Sequence, residues 1–143
     1  FTYNDPVIFL EYAMDVADAC REQGVRSVAV SAGYMCDEAR RDMYTHIDAA
    51  NIDLKAFTPR FYEKVALGRL EPVLDTLRYL RHETDVWLEI TTLLIPGHND
   101  STAEIDQLTR WVAEELGPDV PVHFTAFSPA TRCSTSPRHR RPR

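Results

Sequence analysis

The sequence of 143 residues has the length of one domain, and its 44% hydrophobic and 27% charged residues are typical of a globular chain. This composition excludes collagen-like, coiled-coil and fully disordered proteins. The net charge of −6 is unevenly spread, because residues 1–127 carry 11 basic against 22 acidic residues while residues 128–143 carry five arginines and no acid. A body with a net charge of −11 repels a phosphate backbone, so we expect no nucleic-acid binding.

The chain also lacks the patterns of membrane and secreted proteins. No apolar run reaches the roughly 18 residues that cross a bilayer, and no signal-peptide pattern opens the chain. The three cysteines, Cys20, Cys36 and Cys133, are an odd number at unpatterned spacing, which predicts neither a disulfide framework nor a metal site. We therefore expect a cytoplasmic protein that makes no membrane contact.

The predicted elements alternate between helix and strand along the chain. Helices are predicted from the apolar spacing of three and four residues, and strands from short β-branched or apolar runs. In chain order these are a helix from Asp5-Pro6 to Gly24, a strand over 25–30, a helix over 37–46, a strand over 50–54, a short helix after Thr58-Pro59, a helix over 70–81, a strand over 86–95, a helix opened by a capping box at 101–104, and a strand over 120–127. Such alternation predicts parallel strands joined by right-handed crossovers, as in a doubly wound sheet or a (β/α) barrel.

Residues 128–143 differ in character from the rest of the chain. They contain polar residues, proline and arginine without any apolar period. The segment is interpreted either as a disordered basic tail or as an out-of-frame sequence that is not the native continuation of the domain over 1–127. We also expect the chain to be an internal fragment of a longer protein, because it opens at Phe1 within an apolar-polar pattern.

Polar residues stand at the predicted carboxyl ends of the strands, where α/β proteins place their active groups. Asp53 and Lys55 are two residues apart in an extended segment, so both side chains point to the same side of the sheet. The pair is interpreted as an ion pair on the sheet rim or as a binding site. In a site, the lysine would bind a carboxylate or form a Schiff base, and the aspartate would accept hydrogen bonds from a hydroxyl or an amine.

Three further groups have two readings each. Asn4-Asp5 is either a helix N-cap or a partner for a ligand amine. Glu89 and Thr91 share one face of their strand, which is exposed to solvent in a sandwich and lines the pocket in a barrel. Ile95-Pro96-Gly97 is either a turn or a place where the backbone approaches a ligand closely.

Common catalytic motifs are absent from the sequence. The five histidines show no metal-ligand spacing, and His82 is interpreted as part of a solvated helix end. No P-loop, G-x-G-x-x-G or G-x-S-x-G pattern occurs, so a phosphate cradle and a serine hydrolase are not expected.

Six strings in order resemble the radical S-adenosylmethionine (SAM) enzymes of the AmmeMemoRadiSam type, namely TYNDP, SAGYM, AANIDLKAF, LEPVLDTLRYLRHETDVW, LEITTLLIPGHND and LGPDVPVHFTAF. These enzymes are similar to the activating enzymes of glycyl radical proteins such as pyruvate formate-lyase. The resemblance covers nearly all of residues 1–127. It implies a partial (β/α)6 TIM-like barrel, here incomplete at its N-terminus, whose open face holds SAM and a [4Fe-4S] cluster. The implied activity is reductive cleavage of SAM to a 5′-deoxyadenosyl radical that abstracts hydrogen.

The resemblance also implies how the strand ends meet SAM. For the methionine part of SAM, Asn4 and Asp5 would hold the amino group, and Ser31 and Gly33 would lie beside the methionyl chain. Asp53 and Lys55 would contact the amine and the carboxylate. For the nucleoside part, Glu89 and Thr91 would reach toward the ribose, and Ile95, Pro96 and Gly97 would pass along the adenine.

The sequence departs from the family pattern in three places. The C-x-x-x-C-x-x-C loop that ligates the cluster is absent, and we expect its cysteines upstream of Phe1, so no catalytic or metal-binding residue is expected in this chain. Ala32 stands where the family commonly has asparagine, and Ser128 stands where a histidine is expected. This chain alone is therefore expected to be inactive.

The resemblance also implies partners for the parent enzyme, and two alternative functions are considered beside it. The family implies a protein substrate, an electron donor such as flavodoxin or ferredoxin, and Memo-like or AMMECR-like proteins as partners of the parent enzyme. The first alternative is a non-catalytic fragment that binds SAM or a partner protein. The second is a Schiff-base barrel aldolase that uses Lys55.

Overall fold

The computed structural model describes residues 1–128, and Cys133 and nearly all of the predicted tail lie outside them. In chain order this part contains a 3₁₀ turn at Pro6–Phe9, α1 (Leu10–Glu22), β1 (Val28–Ser31), α2 (Asp37–Tyr44), β2 (Ala49–Asp53), α3 (Pro59–Phe61) with a π-helical turn at Tyr62–Ala66, α4 (Glu71–Glu83), β3 (Trp87–Leu94), α5 (Thr102–Trp111) with a π-helical turn at Val112–Leu116, and β4 (Val122–Ala126). No helix in this part of the chain is long and apolar enough to span a membrane.

The predicted alternation of helix and strand is confirmed, and the boundaries differ by a few residues. The strand predicted from Val25 begins only at Val28 because Val25 belongs to the end of α1. The backbone N–H of Val25 donates to the Cys20 carbonyl at 2.9 Å, and the N–H of Gly24 donates to the Arg21 carbonyl at 3.0 Å. Gly24 itself has a φ of +72°. This pair of hydrogen bonds is a Schellman motif, which needs a left-handed residue at the position of Gly24.

The four strands form one parallel sheet in the order β1-β2-β3-β4. Neighbours in the sheet are therefore neighbours in the sequence, which is the arrangement of a singly wound sheet and lacks the reversal of strand order of a doubly wound one. In residues 1–128 the sheet is open, so the α/β class is confirmed while closure into a (β/α)6 barrel is not.

Over β1, β2 and β3 one face of the sheet is packed and the other is not, whereas both faces of β4 are half-buried or exposed. The core combines strand residues such as Ala29, Ile52 and Ile90 with helix residues such as Met43 and Leu77, all of them fully buried. The alternate positions on the strands are half-buried or exposed. We call this second surface the open face; its residues are Val28, Val30, Ala49, Asn51, Asp53, Trp87, Glu89, Thr91, Leu93, His123 and Thr125.

The sheet is extended at its β1 edge by the first residue. The amino group of Phe1 donates to the Val28 carbonyl at 2.7 Å, and the Val30 N–H donates to the Phe1 carbonyl at 2.9 Å. This alternation of donor and acceptor is the pattern of a parallel ladder. Phe1 therefore occupies the position of a strand next to β1, which carries the chain into the turn at Asp5.

We predict that Gly33→Ala destabilises the protein by about 2–4 kcal/mol, because it adds both backbone strain and overpacking. Gly33 has a φ of +64°, and a Cβ there would lie 2.8 Å from Cγ2 of the fully buried Ile52. The matched control is Gly24→Ala, since Gly24 has a φ of +72° but open space around its Cβ position. That control should cost only about 1–2 kcal/mol. Urea unfolding measures both values, and equal losses would show that the contact with Ile52 is unimportant.

Candidate functional site

A pocket of about 390 Å³ opens at the carboxyl ends of β2 and β3. It has a charged side and an apolar side. Four predicted site residues, Asp53, Lys55, Thr91 and Ile95, line it together. The remaining walls come from α3, the π-helical turn after it and β3, through Phe61, Val65, Ala66 and Leu93.

Asp53 and Lys55 form an ion pair at the mouth of this pocket. Lys55 Nζ lies 3.1 Å from Asp53 Oδ2, and the two side chains remain 43% and 40% exposed. The prediction that both point to the same side of the sheet is confirmed. An ion pair this exposed contributes little to stability, so a ligand that offers both charges can replace it at low cost. The pair presents one cation and one anion side by side, which complements the zwitterion of an α-amino acid.

The backbone of Lys55 is fixed from two sides. Its N–H donates to the Tyr62 hydroxyl at 3.2 Å, and its carbonyl accepts from Asn99 Nδ2 at 2.6 Å. Burial raises the pKa of Tyr62 to about 12, so the phenol is protonated at neutral pH. The loop that presents Lys55 is therefore held rigidly with respect to the sheet.

Asn99 connects the loops that follow β2 and β3. Besides Lys55, its side-chain amide donates to the Leu93 carbonyl at 2.9 Å, and its side-chain oxygen accepts from the Ile95 N–H at 2.7 Å. Asn99 is 2% exposed, so all three bonds are made away from water. The sequence showed only a turn here. The role of Asn99 depends on contacts with distant segments, which a local pattern does not reveal.

Two more buried hydrogen bonds hold the same loops. The Thr92 hydroxyl donates to the Leu54 carbonyl at 2.8 Å, and Glu104 Oε1 accepts from the Phe57 N–H at 2.8 Å. The predicted capping box of α5 is consequently only half formed. Ser101 accepts from the Glu104 N–H at 3.3 Å, but the Glu104 carboxylate binds the distant loop at Phe57 and not the N-cap backbone.

Asp5, Ser31 and Gly33 come together at the end of β1 in a network of hydrogen bonds. The Asp5 carboxylate accepts from the Val7 N–H at 3.2 Å, the Ser31 hydroxyl at 2.9 Å and the Ala32 N–H at 2.8 Å. Ser31 is 2% exposed and also accepts from the Gly33 N–H at 3.0 Å. Asp5 is thus the N-cap of the first helical turn, one of the two readings left open by the sequence.

Asn4 and the turn after β3 lie at the edges of this region. Asn4 is exposed. Ile95 lines the pocket, Pro96 is half-buried, and Gly97 has a φ of +77° in a turn where its N–H donates to Asp100 Oδ1 at 2.8 Å. The turn reading of Ile95-Pro96-Gly97 therefore describes the local structure, with Ile95 facing the pocket.

A second polar cluster lies farther along the open face. Glu89 accepts from the Trp87 indole N–H at 3.0 Å through Oε1, and its Oε2 lies 2.9 Å from His123 Nε2. These hydrogen bonds, first the one from Trp87 and then the one with His123, hold the pKa of Glu89 below its usual range. Glu89 and Thr91 share the open face as predicted, whereas His123 was not among the predicted site residues.

Within residues 1–128, no group of three or more histidine, cysteine or acidic side chains is arranged to hold a metal ion. Cys20 is half-buried on α1, and Cys36 is exposed at the start of α2. Both are free thiols, and they lie on different elements. This part of the chain does not provide the ligands of an iron–sulfur cluster.

No protein-family model matches the chain. The chain is 34% identical over 137 residues to the uncharacterized protein MJ0808 of Methanocaldococcus jannaschii, a match that covers 96% of this chain and 40% of that protein. The chain thus spans about 40% of the length of the curated relative it matches.

Several solved structures share the fold, and two of them show the likeness. A domain of pyruvate-formate lyase-activating enzyme from Bacteroides vulgatus matches with a TM-score of 0.78 and 19% identity, over 92% of this chain and 84% of that domain. A structure of TYW1 with a lysine-pyruvate adduct bound matches with a TM-score of 0.50 and 24% identity, over 64% of this chain and 30% of that one. At these identities the likeness shows a common parallel α/β fold.

We predict that Asn99→Ala destabilises the protein by about 2–4 kcal/mol, because it leaves two carbonyls and one N–H without partners in a buried place. The matched control is Asp100→Ala, which removes a single exposed bond to Gly97 and should cost less than about 1 kcal/mol. Chemical denaturation provides both free energies of unfolding. An Asn99 variant as stable as the Asp100 variant would contradict the role assigned to this side chain.

Proposed function

We propose that this chain is the SAM-binding part of a radical SAM enzyme of the activating-enzyme type. The parent enzyme would cleave SAM reductively at a [4Fe-4S] cluster and use the resulting 5′-deoxyadenosyl radical to abstract hydrogen. The fold supports this proposal, since the domain of pyruvate-formate lyase-activating enzyme and TYW1, two of the solved structures that share it, belong to radical SAM proteins. The resemblance of the sequence strings to the AmmeMemoRadiSam type supports the finer assignment.

The observation that carries the proposal is the Asp53–Lys55 pair beside an apolar pocket on the open face. Lys55 would bind the SAM carboxylate and Asp53 its ammonium group, because each charge meets its opposite. The pocket next to them offers Val65, Leu93 and Ile95 as apolar surface for the adenine. Its volume of about 390 Å³ lies within the range of small-molecule sites.

The residues of the described part have clear tasks in this proposal. Tyr62 and Asn99 hold the Lys55 backbone in place, so the charged end of the ligand would meet a site that is already organised. Phe61 and Val65 cover one side of the pocket and would exclude water from the bound ligand. The hydrogen bonds around Asp5 would hold the end of β1 in shape, and the Asp5 carboxylate would keep these bonds when the ligand is bound.

Residues 1–128 do not provide a set of ligands for the [4Fe-4S] cluster. Cys20 and Cys36 are single thiols on separate elements, and within residues 1–128 neither belongs to a group of three side chains that could hold a metal ion. We propose that the parent protein supplies the cluster cysteines, the electron donor site and the protein-substrate site from other segments. A non-catalytic SAM-binding role is the alternative that this lack of cluster ligands in residues 1–128 favours.

The aldolase alternative receives no support from the geometry. A Schiff-base lysine has to be neutral, which enzymes achieve by desolvation or by a neighbouring cation. The Lys55 side chain is 43% exposed, and its ammonium group lies beside the Asp53 carboxylate. This environment suits a lysine that binds a carboxylate.

We predict that Lys55→Ala weakens SAM binding by about tenfold or more, because a charge-assisted hydrogen bond is worth about 1.5–3 kcal/mol. Isothermal titration calorimetry with SAM measures the affinity of the wild-type chain and of the variant. The matched control is Lys64→Ala, since Lys64 is exposed and does not line the pocket at Asp53. An unchanged affinity in the Lys55 variant, or an equal loss in both variants, would remove Lys55 from the site.

A further inference from the structure

A second cavity, of about 480 Å³, lies beside the pocket at Asp53, between the helical stretch after β2 and the turn after β3. Three of its lining side chains are basic, namely Arg60, Lys64 and His98. We call this cavity the basic groove. Its apolar wall consists of Phe61 and Val65, which also line the pocket at Asp53. The two cavities are therefore neighbours, but neither Asp53 nor Lys55 lines the basic groove.

The local structure brings the three basic side chains together. Arg60 belongs to α3 and Lys64 to the π-helical turn that continues it, so the two lie four positions apart on one side of a helical stretch. His98 lies in the turn after β3, where its backbone N–H donates to the Ile95 carbonyl at 3.0 Å. The next residue, Asn99, connects this turn to the loop after β2. The two sides of the basic groove are thus held in fixed positions relative to each other.

The charges of Arg60 and Lys64 are not balanced by ion pairs. Of the eleven lysines and arginines in residues 1–127, six form ion pairs within residues 1–128, and Arg60 and Lys64 are not among them. Like charges four residues apart on a helix destabilise it slightly. The two side chains therefore cost the fold a little stability, although acidic residues are twice as numerous as basic ones in residues 1–127. A negatively charged ligand would remove this repulsion.

The acidic group among the lining residues that the structure describes is Glu104. Glu104 is 8% exposed, and its Oε1 accepts from the Phe57 N–H at 2.8 Å. Its carboxylate is held by the loop backbone and forms no ion pair with Arg60 or Lys64. The basic groove therefore keeps an excess of positive charge.

We propose that the basic groove binds the phosphate group of a small phosphate ester. A phosphate monoester carries about −1.5 to −2 charges at pH 7 and three acceptor oxygens. Arg60 and Lys64 would supply two positive charges, and His98 would donate a ring N–H, which the imidazole offers in each of its protonation states. The carbon part of the ester would lie against Phe61 and Val65. The volume of about 480 Å³ lies within the range of small-molecule sites.

A single phosphate ester differs from the nucleic acids that the charge of the chain excludes. A nucleic acid would bring many phosphates against the acidic surface, whereas one ester would meet the basic groove alone. The groove would also hold the phosphate through side chains and not through a glycine-rich backbone loop, so it does not need a P-loop. Because Asp53 and Lys55 do not line the groove, this site is independent of SAM binding.

The test is a ¹H–¹⁵N chemical-shift titration of the chain with phenyl phosphate, in a phosphate-free buffer at constant ionic strength. We expect the backbone signals of Lys64 and His98 to shift. Arg60→Ala and Lys64→Ala should each weaken the affinity by about fivefold, because each removes one charge-assisted hydrogen bond. The matched control is Arg110→Ala, which should leave the affinity unchanged, since Arg110 is also exposed and forms no ion pair in residues 1–128 but lies on α5 outside the groove.

Two further probes define the class of the ligand. Inorganic phosphate should bind more weakly than phenyl phosphate, because it has no carbon part to contact Phe61 and Val65. A Gly-Glu-Glu-Glu-Gly peptide should also bind more weakly, because each carboxylate offers two oxygens and a single charge. Tighter binding of inorganic phosphate would assign the groove to the free anion, and tighter binding of the peptide would assign it to an acidic protein partner. Either result would overturn the inference.

A comparison of the two cavities separates this inference from the proposed function. Lys64→Ala should bind phenyl phosphate weakly and SAM with wild-type affinity, whereas Lys55→Ala should do the opposite. An equal loss of phenyl phosphate affinity in both variants would place the anion at the Asp53–Lys55 pair and overturn the inference. No shifts at saturating phenyl phosphate, or wild-type affinity in Arg60→Ala and Lys64→Ala, would overturn it as well. In each case the affinity for SAM tests the proposed function separately.

Discussion

The handedness of the crossovers is the constraint on which the remaining structure depends. Each connection between parallel strands is right-handed in nearly all proteins, so strands that follow one another in sequence order keep their helices on one side of the sheet. Here the order β1-β2-β3-β4 leaves the open face without a layer of helices in residues 1–128. Polar side chains such as Asp53, Glu89 and His123 are found on that face because they remain in contact with water there.

The open face becomes a site only where its strand ends are held firmly. Asn99, Thr92 and Glu104 each bind the backbone of a loop distant in sequence, and all three are buried. Such bonds are expensive to lose, since a buried group without a partner costs about 1–3 kcal/mol. The ion pair of Asp53 and Lys55 is the opposite case, because it is exposed and easily exchanged for a ligand. A preorganised binding site needs loops that are held rigidly and charged groups that can exchange their partner for a ligand.

Local patterns in the sequence predicted the fold class, the alternation of helix and strand and the shared side of Asp53 and Lys55. These features depend on periodicity and on helix-ending residues such as Gly24, which act within a few positions. The patterns did not predict that Val25 takes part in the end of α1 or that the Glu104 carboxylate binds the loop at Phe57. They also did not predict the groups that Asn99 contacts. Each of these is decided by competition among tertiary partners, which no window of the sequence contains. The contact of His123 with Glu89 is not visible in the sequence for the same reason, because the two residues lie on neighbouring strands.

The most direct test of the central claim, that the open face binds SAM, is to map SAM onto the chain by ¹H–¹⁵N chemical-shift titration. We expect the shifted backbone signals to belong to the carboxyl ends of β2 and β3 and to the neighbouring open-face residues Asp53, Thr91 and His123. Signals from the packed helices, such as those around Leu77 on α4, should stay in place. Shifts confined to the helical side, or none at saturating SAM, would show that the open face does not bind SAM.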